Sequence, residues 1–98
     1  MKIITLEPIP NQSLTAVLDG ALWELRLVTC KGSLVVSVKR NNQTIIDGAR
    51  AVAGELIIQD KNRASFGNFS ILTNNGDLVD YQKFGVSQFL AFVTAADL

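Results

Sequence analysis

Apolar and polar residues alternate with a period of two along much of this chain, and short turn-forming pairs interrupt the alternation. In WELRL, residues 23–27, every second residue from Trp23 onward is apolar. A strand with this period buries one of its faces, so Trp23 is predicted to lie in the core. The turn pairs recur about every ten residues, which predicts an all-β domain: a single small antiparallel β-barrel or sandwich of about seven to nine short strands joined by tight hairpins.

Two of the pairs predict hairpins with two-residue loops. Asp19-Gly20 separates the runs SLTAVL and ALWELRLV, and Asn41-Asn42 precedes the run TIID. Two-residue loops need positive φ at both central residues, a conformation that Asp, Asn and Gly tolerate. The pairs Lys31-Gly32 and Asp47-Gly48 are predicted to turn the chain as well.

Two runs are apolar at almost every position instead of alternating. Residues 34–38, LVVSV, are typical of a central strand that is covered on both sides. Residues 89–93, FLAFV, carry bulky groups on both faces and predict an interior strand or an interface strand. Leu90 and Phe92 share one face of it and are candidate subunit-interface residues.

Residues 49–58, ARAVAGELII, fit two patterns. Their apolar positions match an amphipathic helix, but a glycine at position 54 costs about 1 kcal/mol in a helix. Because strands are predicted on both sides, two short strands joined by a turn at residues 53–55 are the preferred interpretation, with the helix as the alternative.

Length and composition indicate one soluble globular domain spanning residues 1–98. The 98 residues are 48% hydrophobic and 18% charged, which is enough for one core and too few residues for two. No apolar run reaches the roughly 20 residues of a membrane helix, and the first ten residues lack the pattern of a secretion signal. Cys30 has no partner cysteine, and we expect it to be buried or half-buried.

Nucleic-acid binding is not expected from the charge pattern. Nine basic residues balance nine acidic ones, whereas nonspecific nucleic-acid affinity comes mainly from positive charge. The segment RASFGNFSIL, residues 63–72, has a basic residue followed by two aromatics around a glycine, as in a base-stacking strand. Phe66 and Phe69 are three residues apart, however, and would point to opposite faces. We expect Phe69 to enter the core after a loop or bulge at Gly67-Asn68.

Candidate chemistry is sparse. Asn74, Asn75, Asp77 and Asp80 could supply oxygen ligands, but the spacing of a calcium loop is missing, so turn formation is the better interpretation. Histidine is absent, which leaves a serine or cysteine nucleophile without its usual base. We therefore expect no catalytic residue, metal or cofactor.

The order of several segments resembles the small baseplate plug proteins of contractile-tailed bacteriophages and prophages. The segments are PNQSLTAVLDG, WELRL, DGAR, GNFSIL, DYQKFG and the final FLAFV. The resemblance implies a non-enzymatic virion protein, a small β-rich domain at the centre of the tail baseplate that helps to close the tube or hub lumen. It would be made in the bacterial cytoplasm and bind other tail and baseplate proteins, and self-association is left open.

The positions that fit the family pattern also have structural explanations. They are Pro10, Asn11, Gln12, Asp19, Gly20, Arg26, Gly48, Arg50, Gly67 and Gly85. The chain departs from the pattern at residues 53–56, where a proline near the glycine is expected. A different class of function, a small β-barrel binding module of the OB or SH3-like type for a peptide or nucleic acid, is the alternative, and an enzyme ranks third.

Overall fold

A computed structural model of the protein describes residues 1–60, 65–74, 76–94 and 97. Over these residues the chain forms seven strands and one short 3-10 helix, Tyr81–Lys83. The strands are β1 (Lys2–Ile4), β2 (Asn11–Leu18), β3 (Ala21–Cys30), β4 (Ser33–Arg40), β5 (Gln43–Arg50), β6 (Asn68–Leu72) and β7 (Phe89–Val93). No helix in these ranges is long and apolar enough to cross a membrane.

Strands β2 to β5 form a four-stranded antiparallel sheet in chain order. Asp19 and Gly20 join β2 to β3 with φ of 51° and 76°, and Asn41 and Asn42 join β4 to β5 with φ of 48° and 66°. Both predicted hairpins are therefore confirmed. Lys31-Gly32 makes a third hairpin of the same kind between β3 and β4.

A second antiparallel sheet has the order β1-β7-β6 and covers the inner face of the first sheet. The chain after β5 extends this sheet past β6, because Ile57 N–H donates to the Phe69 carbonyl at 2.8 Å. The buried Asn68 side chain also bonds both backbone groups of Ile58. The two sheets form a sandwich and do not close into a barrel, since β2 and β5 remain edge strands in the described part of the chain.

An aromatic cluster forms the centre of the core between the two sheets. Trp23 is fully buried, as predicted, and its ring lies 5.4 Å from that of Phe69 and 5.5 Å from that of Phe92 between centroids. The indole Nε1 donates to the carbonyl of Leu18 at 3.1 Å. Aromatic pairs in these tilted geometries contribute about 0.5–1.5 kcal/mol each beyond their buried area, so this cluster is a main source of stability.

Three predictions in the first sheet need correction. Strand β4 is central, but only its inner face is fully buried, because no second layer covers half-exposed Val35 on the outer face. Asp47-Gly48 does not end a strand, since it forms a bulge within β5 where the pairing with β4 shifts. Cys30 is exposed, because it stands at the end of β3 beside the hairpin loop.

Residues 49–58 contain no helix, so the helical alternative is wrong. The first residues complete β5, and the chain turns at residues 53–54 as predicted. The second predicted strand does not form as a regular strand, and only an isolated β-bridge between Leu56 and Ser70 lies in its place. Gly54 has φ of 76°, which suits the turn and not a right-handed helix.

Strand β7 is interior, which confirms one of the two alternatives for FLAFV. It lies between β1 and β6, and Leu90 and Phe92 are 0% and 4% exposed. Both side chains belong to the core between the sheets. Because the first sheet covers their face, neither candidate interface residue is accessible to a neighbouring subunit in this domain.

Candidate subunit-contact surface

Exposed apolar side chains lie at the end of the sandwich that carries the Lys31-Gly32 hairpin. Leu78 is 86% exposed and Val52 is 45% exposed. Two hollows, of about 500 and 100 Å³, both include Gly32, Leu34 and Leu78 in their walls. We call this region, defined by Val52, Leu78 and the walls of the two hollows, the apolar end surface.

A buried glutamine holds the backbone that presents Leu78. Gln88 is 0% exposed, and its Oε1 accepts a hydrogen bond from Asp80 N–H at 2.8 Å. Its Nε2 donates to the Leu78 carbonyl at 2.8 Å. Because the backbone on both sides of Val79 is bound to one buried side chain, Leu78 points outward from a fixed support.

Leu78 and Gln88 were not among the predicted contact residues. Leu78 follows a polar turn and belongs to no periodic pattern, so the sequence around it contains no signal of a contact surface. Gln88 directly precedes the FLAFV run, and a polar residue next to a buried strand was the one available sign that it binds backbone groups.

Acidic and amide residues form the turns near the apolar end surface, as predicted. The backbone carbonyl of Asn74 accepts a hydrogen bond from Asp77 N–H at 2.9 Å. The Asp80 carboxylate accepts from Gln82 N–H at 3.0 Å and so caps the 3-10 helix. Asn75 lies outside the described residues. These contacts belong to the turn chemistry that Asn and Asp commonly provide.

Two of the four charged residues that line the hollows form a weak ion pair; the four are Arg50, Asp77, Asp80 and Lys83. Lys83 Nζ lies 3.4 Å from Asp77 Oδ2, and both side chains are close to half exposed. Exposed pairs of this kind contribute about 0–1 kcal/mol. This end of the molecule therefore offers a partner both exposed apolar side chains and charged groups.

The family-pattern residues before and within β2 fix how the chain enters the first sheet. The Pro10 carbonyl accepts from Thr29 N–H at 2.9 Å, and Asn11 Oδ1 lies 3.3 Å from the same nitrogen. Gln12 Nε2 donates to the Glu7 carbonyl at 2.8 Å, and its Oε1 accepts from Glu7 N–H. These residues lie within the domain's own hydrogen-bond network.

Three family-pattern glycines occupy places where the backbone needs them. Gly48 lies in the β5 bulge. A Cβ at Gly67 would lie 2.5 Å from a ring atom of Phe92, and one at Gly85 would lie 2.9 Å from the carbonyl oxygen of Leu6. Such distances are below van der Waals contact, so the two glycines permit close packing and are not contact residues.

The charged family-pattern residues, Asp19, Arg26 and Arg50, are all exposed. Arg26 lines an open groove of about 500 Å³ on the outer face of the four-stranded sheet, together with Glu24, Lys39 and Asp47. The groove thus contains two acidic and two basic residues. It lacks the one-signed positive track that backbone recognition of nucleic acid uses.

Phe66 and Phe69 are separated, as predicted. Phe66 is 57% exposed in a turn, whereas Phe69 is fully buried in the core. The guanidinium of Arg40 lies 4.0 Å from the centroid of the Phe66 ring, a cation–π contact. Since only one of the two rings is accessible, they cannot form a base-stacking pair.

Comparison with known proteins identifies the family. No curated protein matches the chain. One family model matches, and its description is cyanophage baseplate Pam3 plug gp18. Because the match covers residues 1–95 of the 98, this protein belongs to the family of the cyanophage baseplate plug and is a structural protein of the phage tail baseplate.

Proposed function

We propose that this chain is a non-enzymatic plug seated at the centre of the baseplate of a contractile tail, where it helps to close the tube or hub lumen. The apolar end surface is the observation that carries the proposal beyond family membership. An exposed apolar patch on a small domain marks a site of protein contact. A neighbouring baseplate protein would cover Leu78 and Val52 in the assembled tail.

The shape of the contact region suits a subunit interface. Leu78 stands between two hollows, so a partner side chain on either side of it could be enclosed. The support from Gln88 means that little conformational freedom is lost when the partner binds.

The dimensions of the domain support a role in filling an axial opening. Its Cα atoms extend over 30 × 24 × 22 Å, with a radius of gyration of 12.4 Å. Over the described residues, three aromatic rings pack against one another and fill the centre of the space between the two sheets. A packed domain of this kind can block a channel without needing a partner to complete its core.

The contact surface is tested by Leu78→Asp in a phage that lacks its own copy of the gene. We expect the variant to fold, because Leu78 is 86% exposed, but to be absent from purified tails by immunoblot. Val86→Asp is the matched control: it is 78% exposed, lies in another turn and lines neither hollow. Normal incorporation of Leu78→Asp would show that the apolar end surface is not a baseplate contact.

Lumen closure needs a separate measurement. Particles assembled without this protein should release DNA early, which a DNA-binding dye outside the capsid would detect as increased fluorescence. Complementation with the wild-type chain should restore the baseline. If particles without the protein retain their DNA and infect normally, the plug role is wrong even if the chain is found in the baseplate.

A further inference from the structure

Strand β2 is an edge strand with one row of backbone groups unpaired. The loop Asp19-Gly20 makes Leu18 and Ala21 a hydrogen-bonded pair, so the even-numbered residues of β2 bond to β3. The hydrogen bond from Thr29 N–H to the Pro10 carbonyl agrees with this parity. The N–H and C=O groups of the odd-numbered residues 11, 13, 15 and 17 therefore point away from the sheet, and no partner for them occurs within the described residues.

This edge lacks the features by which proteins usually prevent edge pairing. The strand Asn11–Leu18 contains no charged residue, no proline and no bulge. The opposite edge, β5, carries a bulge at Gly48 between Asp47 and a charged residue at position 50. The edge strand of the other sheet, β1, is three residues long and includes Lys2. The fourth edge, β6, is partly covered by residues 56–58. Of the other three edges, only β2 is long, regular and uncharged, which are the properties of a pairing surface.

The inner side of β2 is also incompletely covered. Leu14 and Ala16 point toward the core and pack against it, yet both are only half-buried because no strand lies beyond them. A strand added at this edge would cover both side chains. The edge therefore offers apolar burial as well as backbone hydrogen bonds.

We propose that β2 pairs with β2 of a second copy of this chain, antiparallel about a two-fold axis at Leu14. In a two-fold interface both copies contribute the same strand to the contact. A charged residue in that strand would therefore lie close to the same charge from the second copy. The absence of charge in β2 fits a second copy for that reason. The pairing would join two four-stranded sheets into one continuous sheet of eight strands.

The parity of the free groups fixes the register. Only odd-numbered residues of β2 have unpaired backbone N–H and C=O groups, so each hydrogen bond between the two copies joins two odd-numbered residues. The numbers of two facing residues must therefore add up to an even value, which is the same along the whole strand pair. A sum of 28 pairs residue 11 with 17 and residue 13 with 15, and so uses all four residues in each copy. It also places Leu14 directly opposite Leu14 of the second copy as a non-hydrogen-bonded pair, with apolar side chains in contact at the centre.

Sedimentation equilibrium of the purified chain tests the association, and two proline variants locate it. Thr15→Pro removes an outward N–H without removing a bond to β3, and proline is tolerated at such edge positions. We expect it to raise the dimer Kd at least about tenfold. Thr44→Pro is the matched control: an exposed threonine on the β5 edge whose N–H also points away from its neighbour β4. It should leave the dimer Kd unchanged.

Disulfide formation tests the register. In a Cys30→Ser background, Leu14→Cys should oxidise to a covalent dimer, because Cα atoms of non-hydrogen-bonded pairs lie about 4.5 Å apart, within disulfide range. Ala16→Cys is the control, since residue 16 faces residue 12 and the two introduced thiols would be about 13 Å apart. Denatured Leu14→Cys, mixed with oxidant, gives the background rate.

The outcomes separate clearly. A wild-type dimer that is weakened by Thr15→Pro and captured by Leu14→Cys supports the proposal. A chain that stays monomeric throughout the micromolar range overturns it, even if another protein's strand occupies the edge in the tail. A dimer that persists in Thr15→Pro, or is not captured by Leu14→Cys, also overturns it. If Thr15→Pro does not fold, the Leu14→Cys result alone decides. Neither measurement depends on the proposed plug role.

Discussion

Replacing Gln88 with methionine tests whether one buried side chain supports the apolar end surface. Methionine has a similar length and no branching, so it fills the space of the glutamine but makes neither hydrogen bond. The Asp80 N–H and the Leu78 carbonyl, each bonded to Gln88 at 2.8 Å, then lose their partner. An orphaned buried group costs about 1–3 kcal/mol, and these two groups are only partly buried. We therefore expect a loss of about 2–4 kcal/mol in the free energy of unfolding.

Urea unfolding followed by the fluorescence of Trp23 measures this loss, because Trp23 is the only tryptophan and is buried in the core. Gln82→Met is the matched control, since Gln82 is exposed and its side chain makes no hydrogen bond in the described part of the chain. Exposed substitutions usually change stability by less than about 0.5 kcal/mol. If Gln88→Met and Gln82→Met differ by less than that amount, the hydrogen bonds of Gln88 do not support the loop.

Three further predictions concern the core and the chain end. Trp23→Ala should lower the free energy of unfolding by about 3–5 kcal/mol, and a solvent-like emission maximum for the folded wild-type protein would contradict its burial. Gly67→Ala should destabilise much more than Gly54→Ala in urea unfolding, because both glycines have positive φ but only the Cβ at Gly67 would collide with Phe92; equal losses would show that the ring moves freely. The pKa of Asp97 is held below its ordinary 3.8, first by a hydrogen bond from the amino group of Met1, so carboxyl chemical shifts should titrate below pH 3.8. The small stabilisation from this contact should be present above that pH and be lost as the pH falls through the lowered pKa; a midpoint at or above 3.8 would argue against the contact.

The sequence alone determined the elements whose cause is local. Asp19-Gly20 and Asn41-Asn42 form hairpins because their own backbones accept positive φ, whatever surrounds them. The burial of Trp23 follows from a period of two that is complete within five residues. The ordered set of turns and strands along the chain was also enough to indicate the baseplate plug family, which the family match then established.

Only the tertiary structure decided how the sheets combine. Strand β1 pairs with β7 across almost the whole chain, and no local pattern specifies a contact between residues so far apart. That pairing makes a sandwich and encloses Leu90 and Phe92. A run that is apolar on both faces predicts burial equally well inside the domain or against a neighbour.

The candidate contact surface was invisible in the sequence for a related reason. Leu78 is exposed because Gln88, ten residues later, binds the backbone around it from within the core. Hydrophobicity alone predicts that a leucine is buried. This prediction is wrong for Leu78, because the hydrogen bonds from Gln88 hold the backbone with the leucine side chain pointing to the outside. Local sequence patterns predict the turns and the buried face of each strand. Strand pairing between distant residues and buried polar contacts decide which apolar side chains stay exposed and can contact a partner.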